Sequence, residues 1–203
     1  MRKHRIWQSF TSLPLNNPIC FDTAIDRQRH VMGFVELFNT KVTDGWQPYF
    51  LTFKYRQLSG PQRAVLQQMR TGIQLFYRRL ATRVQRNPIK GPLPILMTAA
   101  DLPVSKHSKV SIFDVTTNDG LHQHGILLTP AKSRLRENFV AHLYRMERQY
   151  IAGSPLSSIY AEPVTHDLER AVRYALKAFE SGRLGYDESI LWLPQARSEL
   201  SRR

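Results

Sequence analysis

The stretch from residue 46 to residue 99 constrains the fold more than any other part of the sequence. Residues 46–55 are aromatic and β-prone, which predicts a strand. Over residues 62–85 the apolar side chains recur three and four positions apart, which predicts a long amphipathic helix. Residues 93–99 form a short apolar run and predict a second strand. A strand, a long helix and another strand indicate a sheet with a helix packed on it.

The flanking regions extend this arrangement. Helical periodicity over residues 22–42 predicts an N-terminal accessory helix. Strands are predicted at 110–116 and 121–129, joined by the hairpin signal Thr-Asn-Asp-Gly, with short strands at 159–164 and 188–193. Helices are predicted at 133–150 and from Thr165 or Asp167 to about 181. The order of elements predicts an α+β fold, an antiparallel β-sheet with flanking helices and an N-terminal helical extension.

We divide the chain into an N-terminal extension at 1–45, a main domain at 46–193 and a basic tail at 194–203. The 203 residues are enough for one well-buried domain with an extension.

The charge balance indicates the class of partner. Lys and Arg total 29 against 16 Asp and Glu, a formal net charge of +13, which favours a partner rich in phosphate. The single cysteine, Cys20, excludes an intrachain disulfide, fits a reducing compartment and leaves no zinc-finger pattern. Neither an apolar secretory segment nor a run long enough to span a membrane is present in the sequence, so we expect a cytoplasmic protein without membrane contact.

His122 and His124 flank Gln123 at the start of an apolar run. Alternate side chains of a strand point to the same face, so the two imidazoles are expected to point at one spot. Two neutral imidazoles a strand step apart make half of a site for a divalent metal ion. Spacing alone also allows a structural or solvated histidine pair.

A third ligand is needed to complete such a site. If the hairpin loop has three residues, Asp114 falls opposite His124 on the same face. A two-residue loop would move Asp114 to the other face, and its alternative role is a solvated edge carboxylate. His107 is the next candidate ligand.

The last predicted helix carries a candidate nucleophile. Tyr174 lies roughly 130° from the centre of the apolar stripe of this helix, with Lys177 and Arg170 on the same polar side. A phenolate can attack a phosphodiester and hold one end of the chain covalently, while a bound cation polarises the phosphate. We therefore predict Tyr174 and Lys177 as catalytic residues, with Lys177 stabilising developing charge. The alternatives are a boundary tyrosine and a solvated lysine.

Other basic residues are candidates for contacts with DNA. Aromatic side chains near the first strand, Trp46 and Tyr55, are weaker candidates for stacking on unpaired bases. The predicted DNA-binding residues are Arg170, Arg173, Lys54, Arg78, Arg79 and Arg83.

Three segments together resemble the HUH endonuclease superfamily, in particular rolling-circle replication initiators (Rep proteins) with a single catalytic tyrosine. Residues 50–53 (Phe-Leu-Thr-Phe) resemble the strand of the first motif. Residues 121–128 (Leu-His-Gln-His-Gly-Ile-Leu-Leu) resemble the metal-binding second motif, and residues 174–177 (Tyr-Ala-Leu-Lys) resemble the Tyr-x-x-Lys third motif. The resemblance covers about residues 46–193. It departs from the family at Gln123, where a bulky hydrophobic residue is usual.

The resemblance implies an HUH/Rep-like fold of the split βαβ type and a nickase for single-stranded or hairpin DNA. Tyr174 would become linked to the 5′ phosphate and leave a 3′ hydroxyl that primes rolling-circle replication of a phage or plasmid. The implied metal ion is Mg²⁺ or Mn²⁺. Because the sequence has no P-loop, a host helicase and a host polymerase are expected partners.

Other functions fit the same residues. A basic DNA-binding protein without catalysis, such as a repressor or a decayed Rep protein, would bind DNA in a salt-sensitive manner and never cleave it. A related single-tyrosine transposase would share the motifs. A histidine-dependent RNA-processing enzyme would use His122 or His124 as acid or base without a metal ion.

Overall fold

The computed structural model describes residues 23–87, 91–101 and 121–195. Six helices and five strands lie in these ranges. In chain order they are α1 (Ala24–Thr43), β1 (Gln47–Tyr55), α2 (Gln62–Val84), β2 (Ile95–Asp101), β3 (His122–Thr129), α3 (Phe139–Ile151), β4 (Leu156–Pro163), α4 (Leu168–Ala175), α5 (Lys177–Glu180), α6 (Tyr186–Ser189) and β5 (Ile190–Leu193).

The five strands form one sheet in the order β4-β1-β3-β2-β5, and every neighbouring pair is antiparallel. Helices flank the sheet, so the predicted α+β class with an antiparallel sheet is confirmed. Strand β3 is central, and the predicted last edge strand is β5. No described helix has an apolar stretch of the length that crossing a bilayer requires.

Both edges of β3 are hydrogen-bonded to strands that are distant in sequence. His124 has Thr52 of β1 on one side and Ala99 of β2 on the other. The predicted partner of His124 in the hairpin, Asp114, and the predicted strand at 110–116 lie outside the described residues. The Thr-Asn-Asp-Gly sequence is a strong local turn signal, but the long-range pairing of β1 and β2 with β3 takes both of its edges.

Because side chains alternate between the two faces of the sheet, the buried residues form two clusters, one on each face. The first face packs against α2 and α3, and β1 contributes Leu51 and Phe53 to it. The second face packs against α1 and α4, and β3 contributes Ile126 and Leu128 to it. Val35 of α1 is buried in this second cluster, so α1 covers the same face as α4.

Two helices differ from their predicted bounds. Helix α3 begins after Asn138, whose side chain accepts a hydrogen bond from the Ala141 amide at 2.9 Å, so residues 133–138 precede the helix. The last predicted helix is two helices, because α4 ends at Ala175 and α5 begins at Lys177. Asp167 is the N-cap of α4 and accepts from the Arg170 amide at 3.0 Å.

Gly125 allows β3 to lie close to its neighbour β2. A Cβ atom at this position would lie 2.6 Å from the Met97 carbonyl oxygen and 2.6 Å from Thr98 Cγ2. We expect Gly125→Ala to lower the free energy of unfolding by roughly 1–3 kcal/mol, because the strands must separate to accept the methyl group. Urea denaturation measures this change.

Gly33→Ala is the matched control, since a Cβ at Gly33 in α1 meets no atom within 4 Å. Alanine in a helix interior should leave stability unchanged or raise it by up to about 1 kcal/mol. Equal effects of the two substitutions would contradict the close approach at Gly125.

Candidate metal centre

Strand pairing brings a carboxylate to the two predicted histidines. In the register of β2 and β3, Asp101 lies directly opposite His122, and Ala99 lies opposite His124. Residues that are opposite one another in a sheet share a face, and His124 is two positions from His122. Asp101, His122 and His124 therefore meet on the face of the sheet that α1 and α4 cover.

The three side chains have the spacing of a metal site. One ligand atom from each lies within 4.8 Å of the other two. Oδ2 of Asp101 is 3.1 Å from Nε2 of His122 and 4.0 Å from Nε2 of His124. Two imidazole nitrogens and one carboxylate oxygen are ligands used by divalent transition metals, so this group can hold a metal ion.

One ring nitrogen of His124 has a hydrogen-bond partner, and the other ring nitrogen has none. Its Nδ1 lies 3.1 Å from Thr52 Oγ1. Its Nε2 is buried without a hydrogen-bond partner. Burial, with the nearby charges of His122 and Lys177, lowers the pKa of His124 to about 4. A neutral ring with Nδ1 protonated presents the Nε2 lone pair, which is the form that ligates a metal.

Asp101 is a buried carboxylate surrounded by cationic groups. Burial raises its pKa, but hydrogen bonds and charge from His122 and Lys177 outweigh burial and lower the pKa to about 2. Lys177 Nζ lies 2.6 Å from Oδ2, and an Arg183 guanidinium nitrogen lies 3.7 Å from Oδ1. Asp101 is therefore ionised at neutral pH, as a metal ligand must be.

Tyr174 and Lys177 lie beside the three ligands. The Tyr174 ring is centred 5.0 Å from the His124 ring and 5.8 Å from the Phe50 ring, and Tyr174 remains 51% exposed. Lys177 Nζ lies 4.5 Å from the centre of the Tyr174 ring. The structure thus joins both predicted catalytic residues to the histidine pair, although α4 ends between them.

Gln123 points to the opposite face, as the strand period predicts. Its Oε1 accepts a 2.6 Å hydrogen bond from Tyr55, and its Nε2 donates to Thr98 Oγ1 at 2.8 Å. The buried amide therefore has a partner on each side, so an amide at this position is compatible with packing beneath the histidines. This contact also buries Tyr55, one of the two stacking candidates.

The predicted DNA-binding residues lie on both faces. Lys54 pairs with His122 in register, and its Nζ lies 4.9 Å from the centre of the exposed Tyr160 ring. Arg170 is exposed on α4, whereas Arg173 is ion-paired with Glu169 and Glu180. The remaining three belong to α2, on the other face of the sheet: Arg78, Arg79 and Arg83.

Sequence reasoning missed Asp101. The predicted strand stopped at residue 99, and the carboxylate lies two residues further along the same strand. The sequence did offer one signal: residues 99 and 101 are two positions apart, so a strand that continued to Asp101 would place both side chains on the same face. Only the register of β2 with β3 shows that Asp101 faces His122. Asp114 and His107 lie outside the described residues, and their roles as ligands stay predictions.

Comparison with known proteins gives no relative: no family model, no curated protein and no solved structure matches this chain. Inferences about function therefore depend on the residues and geometry of this site.

The lowered pKa of His124 makes stability depend on pH. The unfolded chain binds a proton at this imidazole below about pH 6.5, while the folded chain binds it only below about pH 4. Because the unfolded state binds more protons between these values, the free energy of unfolding should fall as pH falls from about 6.5 to 4. Urea denaturation in EDTA should show a weaker fall in His124→Gln, and an identical pH dependence in both proteins would contradict this assignment.

Measurements of metal affinity can distinguish Asp101, the carboxylate found beside the histidines, from Asp114, the predicted third ligand. We expect Asp101→Asn to weaken Mn²⁺ binding roughly 10- to 100-fold, because the amide removes the charged ligand of the group. Isothermal titration calorimetry measures the affinity. Asp114→Asn is the matched variant, and a comparable loss there would make Asp114 a further ligand. Unchanged affinity in Asp101→Asn would contradict the site.

Proposed function

We propose that this protein is a metal-dependent endonuclease and strand transferase of the HUH type, which nicks single-stranded or hairpin DNA through a covalent 5′-phosphotyrosine. One observation carries the proposal. A tyrosine and a lysine from the α4–α5 region meet two histidines and an aspartate from β2 and β3, with the tyrosine ring 5.0 Å from a ligand ring. A nucleophile beside a cation site is the arrangement that such phosphoryl transfer requires.

The proposed cation is Mn²⁺ or Mg²⁺. When bound, it would act as a Lewis acid on a non-bridging oxygen of the scissile phosphate. Two imidazole ligands suit Mn²⁺ better than Mg²⁺, because Mg²⁺ prefers oxygen ligands and retains water. The unpaired Nε2 of His124 supports the assignment of this group as the ligand set.

The transfer step exchanges one phosphate ester for another. The Tyr174 oxygen forms a bond to phosphorus as the bond from phosphorus to the 3′ oxygen breaks. The phenol loses its proton, and the departing 3′ oxygen gains one, so no further reactant is needed. The free 3′ hydroxyl can prime synthesis, and its attack on the phosphotyrosine reverses the step.

Lys177 is proposed to stabilise the negative charge of the phosphate. Its ammonium contacts both the Asp101 carboxylate and the face of the Tyr174 ring. A cation that ligates Asp101 Oδ2 would compete with this ammonium for the same oxygen. Lys177 would then turn toward the phosphate beside Tyr174, where its charge stabilises the transition state.

The substrate is proposed to approach along the β4 edge of the sheet. Tyr160 is 55% exposed on the same face as Thr52, its partner in register, and Lys54 lies against the Tyr160 ring. An exposed aromatic ring beside an ammonium provides stacking and phosphate contacts for an unpaired strand. Initiation of rolling-circle replication of a phage or plasmid would follow, with a host helicase and a host polymerase.

Tyr174→Phe tests the nucleophile. We expect wild-type protein to form a covalent adduct with some members of a labelled pool of single-stranded and hairpin oligonucleotides in Mn²⁺, and Tyr174→Phe to form none. DNA binding should change by less than about twofold, because the variant lacks only a hydroxyl group. A denaturing gel detects the adduct, and EDTA should abolish it.

Tyr144→Phe is the matched control, since Tyr144 is 89% exposed on α3, which packs on the face of the sheet opposite the candidate ligands. It should retain the adduct. An adduct that persists in Tyr174→Phe would refute the nucleophile. Binding without an adduct under any cation would favour the non-catalytic DNA-binding protein, and cleavage that survives chelation would favour metal-free histidine chemistry.

A further inference from the structure

A second basic surface lies on the side of the sheet opposite the metal centre. Helix α2 contains five arginines and no acidic residue, and it packs with α3 on the first face of the sheet. The segment between β3 and α3 adds further cations beside the C-terminal end of α2. We define the far basic surface as the six exposed cations of this region: Arg78, Arg86, Lys132, Arg134, Arg136 and Arg148.

Internal contacts join α2, α3 and the segment between β3 and α3. Arg79 donates a 2.8 Å hydrogen bond to the Tyr150 carbonyl oxygen, and Arg83 donates to the Gln149 side chain. The Arg134 amide donates to the Val84 carbonyl oxygen at 3.0 Å. Two of the arginines predicted to bind DNA, Arg79 and Arg83, therefore hold α3 against α2.

Acidic residues do not neutralise the far basic surface. Glu137 pairs with Arg145, and Glu147 accepts a 2.8 Å hydrogen bond from the Ile159 amide. Within the described ranges, none of the six defining cations makes an ion pair. Like charges held together repel one another, so the arrangement lowers stability unless an anionic partner binds.

We infer that the far basic surface binds the phosphate backbone of nucleic acid, at a place separate from the metal centre. Five of its six cations are arginines, whose planar guanidinium groups bind phosphate with two parallel hydrogen bonds. Tyr144 is the one large exposed apolar side chain on described α3, and none is exposed on α2, so the surface lacks the apolar face that anchors a helix in a lipid bilayer.

Phosphate binding by this surface goes beyond the proposed function, whereas its role toward a nicked strand rests on that function. A nucleic acid that reaches both surfaces must pass around an edge of the sheet, since Lys54 and Tyr160 lie on one side and the far basic surface lies on the other. The far basic surface would then hold the portion of the substrate that flanks the nicked strand, by contacts that do not read sequence.

Salt dependence of binding tests this surface. The variant combines Arg86→Gln, Arg134→Gln and Arg148→Gln, all in a Tyr174→Phe background with EDTA, so that neither an adduct nor a metal ion contributes. The measurement is fluorescence anisotropy of a labelled DNA duplex and of a single strand of the same length. Each lost phosphate contact should reduce the slope of log affinity against log salt by about 0.9 for duplex and about 0.7 for single strand.

Two controls make the outcome specific. A variant with lysine at the same three positions keeps the charge and should keep most of the salt slope, whereas Arg29→Gln on α1 should leave it at the value of the background protein. Circular dichroism checks folding. An unchanged slope in the glutamine variant would overturn the inference. So would the finding that the three arginines are needed for binding to anionic vesicles but not for binding to either DNA. Binding with the expected slopes but no nicking by wild-type protein would refute only the proposed function.

Discussion

The pairing of β3 with β1 on one edge and β2 on the other is the interaction on which the site depends. It places His122, His124 and Asp101 on one face by register alone, without a loop to position them. The backbones of these three residues are fixed by hydrogen bonds between adjacent strands. Little conformational entropy is therefore left to lose if a metal ion binds. The helices then need to bring only Tyr174 and Lys177 to a group that is already assembled.

Asp101 balances the charges at this site. Four positively charged or potentially charged side chains surround one buried carboxylate, and without it their mutual repulsion would be uncompensated. The same oxygen contacts the lysine and faces both imidazoles. Loading with a divalent ion would therefore redistribute the lysine charge, which links occupancy of the metal centre to the electrostatics around the tyrosine.

Local periodicity was sufficient to predict much of the fold and part of the site. The apolar periodicity of α2 and the alternation around His122 and His124 depend on neighbours a few residues away, and both predictions hold. The pairing of β3, the position of Asp101 beside the histidines and the separation of Arg78 from this candidate metal centre depend on which distant strands meet. A turn signal between residues 117 and 120 suggested a local pairing, and sequence spacing could not reveal the competing long-range one.

The hydrogen-bonded Gln123 has a consequence for how the chain reaches its native alignment. Shifting β3 by one residue would move the amide of Gln123 away from Tyr55 and Thr98 and turn both imidazoles into the apolar layer beneath α2. Each of these polar groups would then be buried without a partner, at a cost of about 1–3 kcal/mol apiece. His122, Gln123 and His124 thereby also penalise misaligned sheets, so the alternation that brings the two imidazoles together on one face also fixes the register of the central strand.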